Sequence, residues 1–138
     1  MKRAAEIKVL VVEDDAHSAV LFRKLLEKRC GFQVTVTESV AEILRLCREG
    51  EVELVVMDVS LNNSRWQDRA VNGVEICRRL KRDPATAHIP VVLATAHAMR
   101  GDAESLLTES GADDYVAKPI VDHGEFVRRI EAFLPEAA

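Results

Sequence analysis

Four short apolar runs recur along the chain, and each leads into polar side chains. Val9-Leu10-Val11-Val12 precedes Glu13-Asp14, and Leu54-Val55-Val56-Met57 precedes Asp58. Val91-Val92-Leu93-Ala94 precedes Thr95, and Tyr115-Val116-Ala117 precedes Lys118. Runs of this length, rich in β-branched residues, predict strands buried on both faces. A shorter strand is predicted over Gln33 to Val36. Between the strands the period changes to that of a helix. Leu21, Phe22, Leu25 and Leu26 make an i, i+4 stripe that Gly31 ends. Ser39 and Glu42 form a capping-box pattern before Val40, Ile43, Leu44 and Cys47, with Gly50 as the stop. Asn72 and Glu75 open a helix carrying Val74, Cys77 and Leu80, which Pro84 ends. Asp102 is expected to cap a helix with Ala103, Leu106 and Leu107, closed by Gly111. Asp122 and Glu125 start a last helix whose inner face is Phe126, Ile130, Phe133 and Leu134.

Strand and helix alternate five times, which predicts an α/β domain built on a parallel sheet. In such a sheet Glu13, Asp14, Asp58, Thr95 and Lys118 all emerge at the carboxyl edge. That edge is where open α/β sheets bind ligands. One connection is out of proportion: Val59 to Asn72 separates Asp58 from the next helix. Loops of this length inside a domain are usually functional. It contains Trp66, the only tryptophan of the chain, between Arg65 and Gln67. An exposed tryptophan there would be a candidate partner contact.

Composition narrows the field. A chain of 138 residues fits one domain, and 48% hydrophobic with 30% charged residues indicates a soluble globular protein. The net charge of −4 gives no reason to expect a nucleic acid as partner. No apolar stretch approaches the ~20 residues of a membrane span, and the N-terminus does not read as a secretory signal. Cys30, Cys47 and Cys77 are odd in number and lack a C-x-x-C spacing, so neither a disulfide framework nor a zinc site is indicated. A cytoplasmic setting is expected.

Carboxylates gathered at one point raise one another's pKa values unless a cation compensates. Mg²⁺, which takes oxygen ligands, is the natural choice. Taken singly, each acid could merely cap a helix, as Asp15 is expected to do. Lys118-Pro119 predicts a constrained bend, with a cis peptide as one option, that aims the ammonium at the acids.

These segments together resemble the receiver domain of two-component response regulators. The resemblance rests on Val9 to Asp15, Leu54 to Ser60, Pro90 to Ala96 and Gly111 to Pro119, in this order. It implies a flavodoxin-like, doubly wound sheet of five parallel strands in the order 2-1-3-4-5, with five helices. It places the domain at residues 7–134, with short tails at 1–6 and 135–138. It implies that Asp58 accepts a phosphoryl group from a sensor histidine kinase or a histidine phosphotransfer protein. Glu13, Asp14, Asp58 and the backbone carbonyl of Ser60 would hold Mg²⁺, for which Mn²⁺ could substitute. Thr95 and Lys118 would contact phosphoryl oxygens, and Thr95 with Tyr115 would form the switch. Ser60 and His97 occupy the positions that tune dephosphorylation in this family. A downstream protein, or a second copy of the chain, would bind on phosphorylation. Where the family usually has a proline soon after the acceptor, this chain has Asn62-Asn63 and a lengthened loop.

Two other readings use the same residues. A phosphatase of the haloacid dehalogenase type also joins an Asp, Mg²⁺, a hydroxyl and a Lys. It typically has a second Asp two residues after the nucleophile, where this chain has Ser60. A non-phosphorylated pseudo-receiver would be a docking module only, and degenerate acids or lysine would favour it; here each core position is filled. The basic pairs Arg78-Arg79, Lys81-Arg82 and Arg128-Arg129 are explained by solvated helix faces.

Overall fold

The computed structural model describes residues 3–61, 64–67, 69–96 and 100–134. In chain order the elements are β1 (Lys8–Val12), α1 (Ala16–Lys24), β2 (Gln33–Thr37), α2 (Val40–Arg48), β3 (Leu54–Asp58), β4 (Arg65–Trp66), β5 (Arg69–Ala70), α3 (Gly73–Arg82), β6 (Val91–Thr95), α4 (Arg100–Ser110), β7 (Asp114–Ala117) and α5 (His123–Glu131). α1 continues as a π-helical turn over Leu25–Arg29. The main sheet runs β2-β1-β3-β6-β7, and each pairing is parallel. This is the expected 2-1-3-4-5 order once the two hairpin strands are left out of the numbering.

Successive strand side chains alternate between two cores, as a pleated strand requires. Val9, Val11, Leu54, Val56, Val92 and Val116 face Phe22, Leu25 and Leu26 after β1, and Phe126 and Ile130 of α5. Leu10, Val12, Val55, Met57, Val91 and Leu93 face the apolar stripes of α2 and α3. Phe22 and Phe126 bring their ring centroids to 5.6 Å and tie α1 to α5. Side chains such as Leu10, Leu54, Ile76 and Ile130 are fully buried. Each contributes about 1.5–3 kcal/mol relative to exposure.

The predicted caps form. Asp15 accepts from the Ser18 N–H, Ser39 from Glu42, Asn72 from Glu75 and Asp122 from Glu125. Gly31, Gly50 and Gly111 have positive φ values of 78°, 75° and 76° at the helix exits. One expected cap is corrected. α4 begins at Arg100, so Asp102 lies inside its first turn and does not precede it. An acidic residue complements the helix dipole in the first turn as well as at the cap, so the residue type alone does not separate the two positions.

The long connection is not devoid of structure. Arg65 and Trp66 pair antiparallel with Ala70 and Arg69, and Gln67 takes a left-handed φ of 54° at the turn. Ser64 anchors the hairpin by donating to the Glu38 carbonyl at 2.6 Å. Trp66 is half-buried against the α2–α3 side of the core.

Candidate functional site

The sheet's hydrogen-bond ladder continues past the strand ends and fixes the residues that follow. The Glu13 N–H donates to Thr37 O at 3.2 Å, Val59 N–H to Ala94 O at 3.0 Å, and Lys118 N–H to Thr95 O at 2.8 Å. Glu13, Asp58, Thr95 and Lys118 are therefore held on neighbouring strands at one edge. Lys118-Pro119 is a cis peptide bond.

Glu13, Asp14 and Asp58 each present a carboxylate oxygen, and the three oxygens lie within 4.8 Å of one another. The side chains of Glu13 and Asp58 are 0% and 4% exposed. Lys118 Nζ sits 3.0 Å from Glu13 Oε2 and 3.3 Å from Asp58 Oδ1. Burial, followed by a hydrogen bond with Asp58, pushes the Glu13 carboxyl up to about 7, although Lys118 pulls it down. Burial alone would lower the Lys118 ammonium, but the hydrogen bond to Glu13 and the Asp58 charge raise it. Among the described residues, Lys118 thus faces a cluster of three carboxylates with a single positive charge. Three hard oxygen donors at this separation fit a small divalent cation such as Mg²⁺.

Thr95 is buried at the end of β6, one residue past Ala94, the partner of Asp58 in the ladder. The Ser60 side chain is exposed, and its N–H donates to Asp58 Oδ1 at 3.2 Å. Tyr115 is half-buried on β7, with the Arg129 guanidinium 5.9 Å from its ring centroid. Arg129 also donates to the Tyr115 carbonyl and to Asp114. Trp66 lies on the hairpin, with the Arg79 guanidinium 5.4 Å from its ring. His97, Asn62 and Asn63 lie outside the described residues.

Residue patterns did not single out Gly73, which the structure places against the end of β3. A Cβ there would come within 2.0 Å of the Asp58 carbonyl oxygen and 2.8 Å of its carbon. Its N–H donates to Val59 O at 3.0 Å. The available signal was a glycine, a poor helix former, directly after the Asn72 cap.

A doubly wound parallel sheet with buried carboxylates and a lysine at its carboxyl edge defines a class of open α/β domains whose ligands bind at that edge. Residues 9–131 match the family described as response regulator receiver domain. The polar-differentiation response regulator DivK of Brucella ovis is 36% identical over 129 residues, covering 94% of this chain and 97% of the relative. Among solved structures, a putative response regulator from Chloroflexus aurantiacus superposes with a TM-score of 0.78 at 26% identity, covering 92% of this chain and 96% of that one. The receiver domain of a sensor histidine kinase from Pseudomonas aeruginosa, described with a magnesium ion coordinated in its active-site cleft, has a TM-score of 0.76 at 23% identity. It covers 94% of this chain and 98% of that domain. The chain belongs to the response regulator receiver domain family.

Proposed function

We propose that this chain is a phosphorylation-controlled signalling switch that accepts a phosphoryl group on Asp58. The observation that carries the reading is the Lys118 ammonium held between Glu13 and Asp58, with Asp14 beside them. The donor class is a phosphohistidine on a sensor kinase or phosphotransfer protein. An Asp58 carboxylate oxygen attacks phosphorus in line; the new O–P bond forms as the P–N bond to the imidazole breaks, and the electron pair leaves with the ring nitrogen. Lys118 neutralises charge on the transferring oxygens, and the Thr95 hydroxyl donates to another of them. Mg²⁺, or Mn²⁺ in its place, held by Glu13, Asp14, Asp58 and the Ser60 backbone carbonyl, would supply further neutralisation of that charge. Acidic side chains alone would repel the incoming phosphate, which explains the need for both cations.

The receiver unit spans 7–134, and its setting is the cytoplasm. Among the described residues no helix is long and apolar enough to cross a membrane. Output is a change in binding, either to a downstream protein or to a second copy. Ser60 and His97 tune the loss of the phosphoryl group. The haloacid-dehalogenase reading is disfavoured, since Ser60 stands where that family typically has a second Asp.

Beryllofluoride binding tests the reading. It should occupy the site with Mg²⁺ and fail with chelator, and Lys118→Ala should weaken it. Equal binding with and without divalent metal would overturn the proposal.

A further inference from the structure

The connection that leaves Asp58 is tied to the exit of a different strand. Ser64 is 3% exposed, and its hydroxyl donates to the Glu38 carbonyl at 2.6 Å, across 26 residues of sequence. Glu38 belongs to the short link between β2 and α2. The residue before it, Thr37, accepts the Glu13 N–H on its carbonyl at 3.2 Å and the Ser39 N–H on its side chain at 3.0 Å. Ser64 therefore joins the connection after Asp58 to the segment that lies beside the Glu13–Asp14 pair.

The same residue closes the connection on itself. The Val71 N–H donates to the Ser64 carbonyl at 3.1 Å, and the Gly73 N–H to the Val59 carbonyl at 3.0 Å. Leu61 and Val71 are buried and pack into the α2–α3 side of the core. The stretch from Val59 to Asn72 thus divides at Ser64 into the β4–β5 hairpin and a shorter arc, Val59 to Ser64. That arc carries Ser60, whose N–H donates to Asp58 Oδ1 at 3.2 Å. The Ser60 carbonyl is the backbone ligand of the proposed metal set.

A buried hydroxyl needs a partner, and any nearby carbonyl would satisfy it. The partner here lies on another strand's exit, next to the residue that holds the Glu13 amide. A ligand carried on a mobile segment binds only at the cost of ordering that segment, and the cost grows with loop length. A pin shortly after Ser60 removes that loss before an ion arrives. A short turn in place of the hairpin would need no such pin, because it has little to order. We propose that Ser64 is a positioning residue for the divalent cation. Its bond to Glu38 restrains the Ser60 carbonyl against the Glu13–Asp14 pair, so that the lengthened connection does not weaken the site. Ser64 acts through Ser60 and Glu38, and its role rests on the reading of Glu13, Asp14, Asp58 and Ser60 as metal ligands.

The full chain is titrated with Mn²⁺, the free ion is followed by its paramagnetic resonance signal, and Mg²⁺ serves as competitor. The unaltered chain should bind one ion, and Asp14→Ala should lose it. Ser64→Ala should bind about three- to tenfold more weakly, a smaller loss than for a partner bonded directly to a ligand. Ser64→Cys, close to serine in size but a weak donor, should weaken binding in the same direction without leaving a void. Thr86→Ala is the structural control. Thr86 is 1% exposed and donates to the Leu80 carbonyl at 2.7 Å, beyond α3 at the amino edge of the sheet. Its loss should lower the melting temperature in chelator and leave the ion affinity unchanged. Equal affinity in the unaltered chain and both Ser64 variants would overturn the proposal, as would a loss of the same size in Thr86→Ala. An unaltered chain that binds no Mn²⁺ would overturn the ligand assignment itself, and the role of Ser64 with it.

Discussion

Lys118 contacts two carboxylates at once, and burial raises the carboxyl of one of them, Glu13. With its carboxyl raised to about 7, Glu13 holds a proton in the folded, metal-free protein that the unfolded chain would already have released. The resulting stabilisation is fully present below the ordinary glutamate value of 4.5 and is lost as pH rises through about 7. Thermal melts in chelator from about pH 5 to about pH 8 should therefore show a falling melting temperature. Glu13→Gln should flatten that slope; an unchanged slope in the variant would place the titration elsewhere. Mg²⁺ should reverse it by displacing the proton. Gly73 offers a steric test at the same scale. A methyl group there meets the Asp58 backbone at 2.0 Å, and main chain cannot swing aside as a side chain can. Gly73→Ala should destabilise by about 1–3 kcal/mol or more in denaturant melts and displace the acceptor, reducing phosphorylation as well. A stable, fully labelled variant would show that α3 shifts freely.

At the scale of elements, the strands and most helices were legible because their signals agree. The buried runs, the caps Ser39, Asn72 and Asp122 and the glycine exits all point to the same boundaries. Glu13, Asp14, Asp58, Thr95 and Lys118 were legible as a group because parallel topology sends each strand end to one edge. The hairpin was not. Its strands are two residues each, too short for a period of two to show, and its turn places Gln67 where glycine or asparagine is the usual signal. The burial of Trp66 depends on α2 and α3 being adjacent, which no local pattern encodes. Replacing Asn62 to Ala70 by a tight turn should leave labelling by a small phosphodonor intact and slow transfer from the histidine partner. Equal transfer rates would remove the hairpin from partner selection.

Over the whole molecule, the site's charge and the fold's stability are linked. Mg²⁺ bound at the three carboxylates should raise the melting temperature by mass action, and Asp14→Ala should abolish that shift while stabilising the metal-free protein. Phosphorylation should draw Thr95 toward the new phosphoryl oxygens and let Tyr115 turn inward, altering the surface around α4, β7 and α5. Tyr115 ring resonances that stay fixed on beryllofluoride binding would contradict that switch. The most direct test of the central claim is intact mass with site mapping after incubation with acetyl phosphate. With Mg²⁺ the chain should gain a single phosphoryl group on Asp58, and it should gain none in chelator or as Asp58→Asn. A full stoichiometric gain by Asp58→Asn, or by the unaltered chain in chelator, would contradict the account.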